Sequence, residues 1–96
     1  MMKETVIRWD RGMALGYEVE FYNAILVFAQ APRGFVMCGY LNMAAAEKLG
    51  DIAAVVRGVS NIDELFAAKV EEISTAAAKI GVKVGMTGKE ALEKMM

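Results

Sequence analysis

The stretch MALGYEVEFYNAILVFAQAPRGFVMCGYLN, residues 13–42, decides how this chain folds. Over its first nine residues Tyr17, Val19 and Phe21 share one face of an extended chain, and Glu18 and Glu20 share the other. That period of two belongs to a strand with one solvated side, here expected to be the side of the two glutamates. Asn23 then introduces residues 25–30, ILVFAQ, an apolar run of strand length, and Ala31-Pro32-Arg33-Gly34 closes it with the only proline in the turn. Residues 35–41, FVMCGYL, are again an apolar β run. The link between these two runs is too short for a parallel return, which needs roughly a dozen residues, so they pair antiparallel.

Upstream, residues 4–9 alternate loosely around Val6 and Ile7, and Asp10-Arg11-Gly12 signals a turn. Four successive strands therefore form an antiparallel β-meander at the N-terminus. Downstream, Asn42 is placed to cap a helix over residues 43–49 that Gly50 stops, and residues 52–56 return to a short strand broken at Gly58. Ser60-Asn61 precedes IDELF, where Asp63 and Glu64 suit the positive end of a helix dipole. Val70, Ile73, Ala77 and Ile80 then recur at helical spacing, predicting an amphipathic helix that lies on the sheet and ends at Gly81. Thr87 and Glu90 have the spacing of a capping box and open a last short helix holding Ala91 and Leu92. The expected class is α+β: the meander, then a helix, a short strand and C-terminal helices packed on one face of the sheet. Residues 1–96 read as a single domain, mainly β over 1–41 and mainly α with one short strand over 42–96.

With its three Tyr left out and its nine Gly included, about 63% of the chain is apolar, against roughly 45–50% in ordinary soluble domains. A chain of 96 residues has too little interior for that content. The excess must lie in surface patches, and a second copy of the same chain is the simplest cover. Exposed helical Ala accounts for part of the excess. The net charge is −1 with both signs interspersed, which argues against nucleic acid as a partner. No apolar run approaches the ~20 residues that span a bilayer, so no membrane partner is expected. The opening MMKETVIRWD puts charges where a signal peptide needs apolar residues, and the single cysteine suits a reducing compartment; a cytoplasmic location is the expectation.

The absence of histidine excludes Ser-His-Asp and Cys-His catalysis and His-ligated zinc, and one cysteine cannot build a thiolate cluster within the chain. No cofactor or metal is expected. The segment KVGMTGK at residues 83–89 imitates a phosphate loop, but Lys83 stands where its first glycine should be and Glu90 where its hydroxyl should be. Glu18 and Glu20 as paired carboxylates are expected on the solvated side, and Trp9 and Arg11 are candidate interface anchors. Cys38 is the residue whose position invites chemistry. Gly39 beside it permits close approach of a ligand, and the helix beginning after Asn42 offers unpaired amides, so Cys38, Gly39 and Asn42 form a candidate site for a small molecule. Against this, a cysteine between Met37 and Tyr40 in a β run is ordinarily a small buried hydrophobe.

From GFVMCGYLN onward the sequence resembles the YunC-like family of bacteria and archaea. The likeness continues through Gly58-Val59, Ile62, Glu64-Leu65, Gly81-Val82, Gly85-Met86 and residues 88–92, GKEAL. It covers roughly residues 13 to 95. The resemblance implies an α+β fold, an N-terminal β region that takes part in forming a tetramer, and no assigned activity. Where Asn42 stands the family more often has an acid, and an amide cannot act as a general base. The leading expectation is a homo-oligomeric domain with a structural or small-ligand-binding role. The alternatives are a cysteine-dependent enzyme or thiol sensor using Cys38, and a module that binds another protein through its apolar β surface.

Overall fold

Ala31 donates its backbone N–H to the carbonyl of Gly34 at 2.8 Å, and Pro32 and Arg33 between them make the expected turn. In the computed structural model, which describes residues 2–9, 12–20, 25–38 and 43–96, this turn joins the third and fourth strands. Strands β1 (Met2–Trp9), β2 (Gly12–Glu20), β3 (Ile25–Gln30) and β4 (Phe35–Cys38) pair in succession, each antiparallel to the next, as the meander predicted. The expected turn at Asp10-Arg11, the Asn23 signal, the end of the fourth run at residues 39–41 and the Asn42 cap lie outside the described residues.

Helix α1 (Met43–Leu49) carries the chain back so that β5 (Ala53–Val56) pairs parallel with β4. Gly50 ends α1 at φ +76°, a conformation open to glycine at little steric cost. Next come α2 (Ile62–Ala67), the two-residue strand β6 (Glu72–Ile73) antiparallel to β5, α3 (Thr75–Lys79) and α4 (Gly88–Lys94). The result is a six-stranded sheet in chain order with one parallel pair. No helix among the described residues is long and apolar enough to cross a membrane.

Strand alternation sorts the core into two clusters. Val27, Ala29, Val36, Ala54 and Val56 turn to one face and pack with Ile62 and Leu65 of α2 and Ala91 and Leu92 of α4. Met37, Ala53 and Val55 turn to the other and meet Ala46 of α1, with Phe28, Phe35 and Met43 packed around them. The C-terminal helices share one face, as expected, while α1 lies on the opposite one. Over β1, β2 and the near end of β3 that opposite face carries no helix among the described residues.

The helix expected to hold Val70, Ile73, Ala77 and Ile80 does not form as one element. Tertiary hydrogen bonds claim the backbone instead: Val70 donates to Met86 at 2.7 Å, Glu71 to Val55 at 2.8 Å and Ser74 to Ala53 at 3.0 Å, so the chain runs extended beside β5. Ser74 then caps α3. Its buried hydroxyl accepts from the N–H groups of Ala53 at 3.0 Å and Ala77 at 3.2 Å and donates to the Asp51 carbonyl at 2.7 Å. Removing it strands three polar groups, one of them the amide that starts β5. Ser74→Ala is expected to lower stability by about 2 kcal/mol or more, read as a shift in the urea midpoint at constant m.

Two exposed carboxylates tie helix starts to their surroundings. In the capping box of α4 the Thr87 N–H, at 2.9 Å, and secondly its hydroxyl, at 3.1 Å, hold the Glu90 carboxyl below the ordinary value of 4.5. Glu47 on α1 is held below the same value by the Thr75 side chain first and then by the Thr75 N–H, which donates at 2.9 Å. A depressed carboxyl stabilises the fold while ionised. As the pH falls through 4.5 the unfolded chain takes up protons before the folded chain does, so stability declines from there downward. Urea midpoints measured across that range should fall less steeply for a Glu47→Gln/Glu90→Gln double variant, and an unchanged slope would contradict these assignments.

Candidate functional site

Gly16 in the middle of β2 lets a helix settle on the sheet. A Cβ there would lie 2.8 Å from Ile62 Cδ1, so the glycine makes room for the first turn of α2. Two residues along the same face, Glu18 Oε2 accepts the N–H of Ile62 at 3.0 Å, one of the amides that a helix leaves unpaired at its start. Asn61 Oδ1 accepts from Glu64 at 2.8 Å, and Glu64 Oε1 accepts from Ser60 at 2.7 Å. These contacts correct the expected orientation of β2. Its even-numbered face, with Ala14, Gly16 and the partly buried Glu18, looks toward α2, while Leu15, Tyr17 and Val19 look to the α1 side, at strands that α1 does not cover. Small residues form the floor for the helix, and the large apolar ones are left over.

Beyond Glu18, β1 extends past the edge of α2. Between them lies an open groove of about 560 Å³, walled by Lys3, Thr5 and Ile7 of β1, Glu18 of β2, and Asp63 and Phe66 of α2. Both signs of charge line it together with four apolar residues, Val6, Ile7, Ile62 and Phe66, a surface for contact more than for proton transfer. Sequence reasoning passed this groove over, although a glycine inside an alternating strand was the available signal. On the far side of the sheet, Tyr17 stacks on Phe28 with ring centroids 4.9 Å apart and planes 21° apart. Val6 and Met13 on that side are 50% and 48% exposed. Burial and then a hydrogen bond to the Glu4 carboxylate raise the Tyr17 phenol above its ordinary value of 10.0.

Of the three residues expected to form a site, Cys38 is described, and Gly39 and Asn42 lie outside the described residues. Cys38 ends β4, pairs with Val56 in the parallel register and is buried at 5% exposure. Its sulfur accepts the Val27 N–H at 3.5 Å, where the β3–β4 ladder runs out. These surroundings favour packing over nucleophilic chemistry. Iodoacetamide should leave the native thiol unmodified over a period in which the urea-unfolded chain reacts fully. Intact-mass detection of rapid native alkylation would reinstate Cys38 as a reactive group.

Comparison with known proteins places the chain in a family. The family described as "Domain of unknown function (DUF1805)" matches residues 37–95, which run from β4 to the end of α4. "Uncharacterized protein YunC" of Bacillus subtilis (strain 168) is 48% identical over 67 residues, and the match spans 66% of this chain and 66% of that protein. A crystal structure of a protein of unknown function, TA1206 from Thermoplasma acidophilum, superposes with a TM-score of 0.95 at 35% identity, covering 100% of this chain and 94% of that one. Strands β1 to β3 fall outside the matched span of the family and inside the structural match. From β4 onward the motifs, and along the whole chain the fold, lead to one conclusion: this chain belongs to the YunC-like family, a family of unknown function.

Proposed function

We propose that this chain is the subunit of a cytoplasmic homo-oligomer, a tetramer on the family resemblance, with a structural or small-ligand-binding role. The observation that carries the reading is the sheet face over β1 to β3, where Leu15, Tyr17, Val19 and Leu26 point away from α2 and α4 and lie to the side of α1, with Phe28 at the margin of the α1 cluster. An apolar sheet face of this kind is ordinarily covered in soluble proteins. A second copy is the natural cover, since the same patch on two copies forms a closed two-fold contact and requires no further gene product. Any small molecule bound by the assembly would then sit where copies meet, because such boundaries are where clefts concentrate. A partner of different sequence is the competing occupant. The burial of Cys38 weighs against the thiol-based alternative.

Light scattering behind size exclusion tests the reading, with the expected species a multiple of the 10.4 kDa chain at micromolar concentration. Leu15→Arg is expected to raise the dissociation constant at least 100-fold, or about 2.7 kcal/mol, because it buries an unpaired charge at the contact. The variant monomer should keep its far-ultraviolet dichroism. A wild-type chain that runs as a stable monomer would overturn self-assembly and favour the foreign partner.

A further inference from the structure

The groove between β1 and α2 differs in character from one end to the other. Thr5 stands opposite Gly16 in the β1–β2 register, and a Cβ at Gly16 would lie 2.8 Å from Ile62 Cδ1 and 3.1 Å from Ile7 Cδ1. The two isoleucine side chains therefore meet over that glycine and make an apolar end. Phe66, four residues after Ile62 and so on the same side of α2, extends it.

Two residues back along the strands, roughly 7 Å away, Lys3 stands opposite Glu18, and Asp63 of α2 lines the same space. Opposite charges face each other here without closing. No ion pair joins Lys3 to Glu18 or to Asp63, and the ion pairs among the described residues both belong to Arg57. Glu18 reaches the helix instead: its Oε2 accepts the Ile62 N–H at 3.0 Å, and its Oε1 has no donor among the described residues. One ammonium and two carboxylates thus form a polar end. The groove's volume of about 560 Å³ falls within the range of small-molecule sites, roughly 300–1,000 Å³.

We propose that this groove binds a small zwitterion with an apolar tail, of the α-amino acid class. The ligand's ammonium lies between Glu18 and Asp63, its carboxylate meets Lys3, and its side chain runs past Thr5 to Ile7, Ile62 and Phe66. An anion would be repelled by the two carboxylates, and an amine without a carboxylate would set its charge against Lys3. A zwitterion gives each charge its opposite, and the distance between the two ends suits a side chain as long as that of phenylalanine. The inference rests on the ligand-binding half of the role proposed above. It uses the helix face of the sheet, opposite the face proposed for self-assembly, and the groove opens beside β1, the outermost strand, so it adjoins any contact made there.

Titration of L-phenylalanine into the native, isotope-labelled protein, followed by amide chemical shifts, tests it. Saturable shifts are expected at Thr5, Ile62 and Asp63. Glycine, which lacks the tail, and N-acetyl-L-phenylalanine, which lacks the ammonium, should each bind about tenfold more weakly or worse. Lys3→Gln should weaken L-phenylalanine about fivefold and leave L-phenylalaninamide within about twofold, whereas Asp63→Asn should weaken both. Lys3 and Asp63 are exposed, so neither variant disturbs the core. No saturation at about 10 mM L-phenylalanine, equal binding of the N-acetyl compound, or an equal effect of Lys3→Gln on acid and amide would overturn the assignment. Light scattering on the same samples separates the two readings: an oligomer that does not bind overturns the groove alone, and a monomer that binds supports the groove and overturns self-assembly.

Discussion

A β-sheet has two faces, and strand alternation gives each of them side chains whether or not anything is available to cover them. In this molecule that constraint governs the rest. One face is lined by Val27, Ala29, Val36, Ala54 and Val56 and lies under α2 and α4. Of the described helices the other receives only the short α1, which reaches β4 and β5 and leaves Tyr17 and Phe28 stacked at its margin. The apolar content that seemed excessive for the length of the chain therefore has an address, the outer strands of the uncovered face.

The helices are the second consequence. Among the described residues none of the four exceeds seven residues, well below the length at which an isolated helix holds together in water. They persist because each start or stop is tied to something else. Glu18 and Asn61 receive the first amides of α2, Ser74 joins α3 to β5, Thr87 and Glu90 close on each other at α4, and Glu47 bridges α1 to α3. A buried hydroxyl with three partners and a carboxylate reaching across from the sheet serve here as additional helical turns would elsewhere. The sheet edge and the helix starts thus meet at β2, where Gly16 makes the space and Glu18 makes the bond.

Much of this was legible in residue order. The bounds of β3 and α1, the turn at Pro32-Arg33 and the capping box at Thr87 follow from local chemistry, and local chemistry operates wherever the segment sits. Two readings were not local. Alternation in β2 was visible, but which of its faces would be covered depended on where α2 would land, and the strand with the glutamates proved to be facing the helix. The spacing of Val70, Ile73, Ala77 and Ile80 fits a helix as well as chance allows, yet the amides of Glu71 and Ser74 found carbonyls on β5 and the segment stayed extended. At the candidate site, Cys38 stood out in sequence by its position, while the groove beside β1 is composed of residues as distant as Thr5 and Phe66, and Gly16 was its one local sign.

Sequence by itself determined the class of fold, the order of the meander, the caps at Asn61 and Thr87, the exclusion of histidine-based chemistry and the family, because each depends on residue type at short spacing. Tertiary structure alone decided the parallel pairing of β5, the face on which each helix lies, the burial of Cys38 and the exposure of the β1 edge. Those outcomes turn on which distant surfaces compete for the same backbone and side-chain groups, and that competition is resolved only when the whole chain is in place.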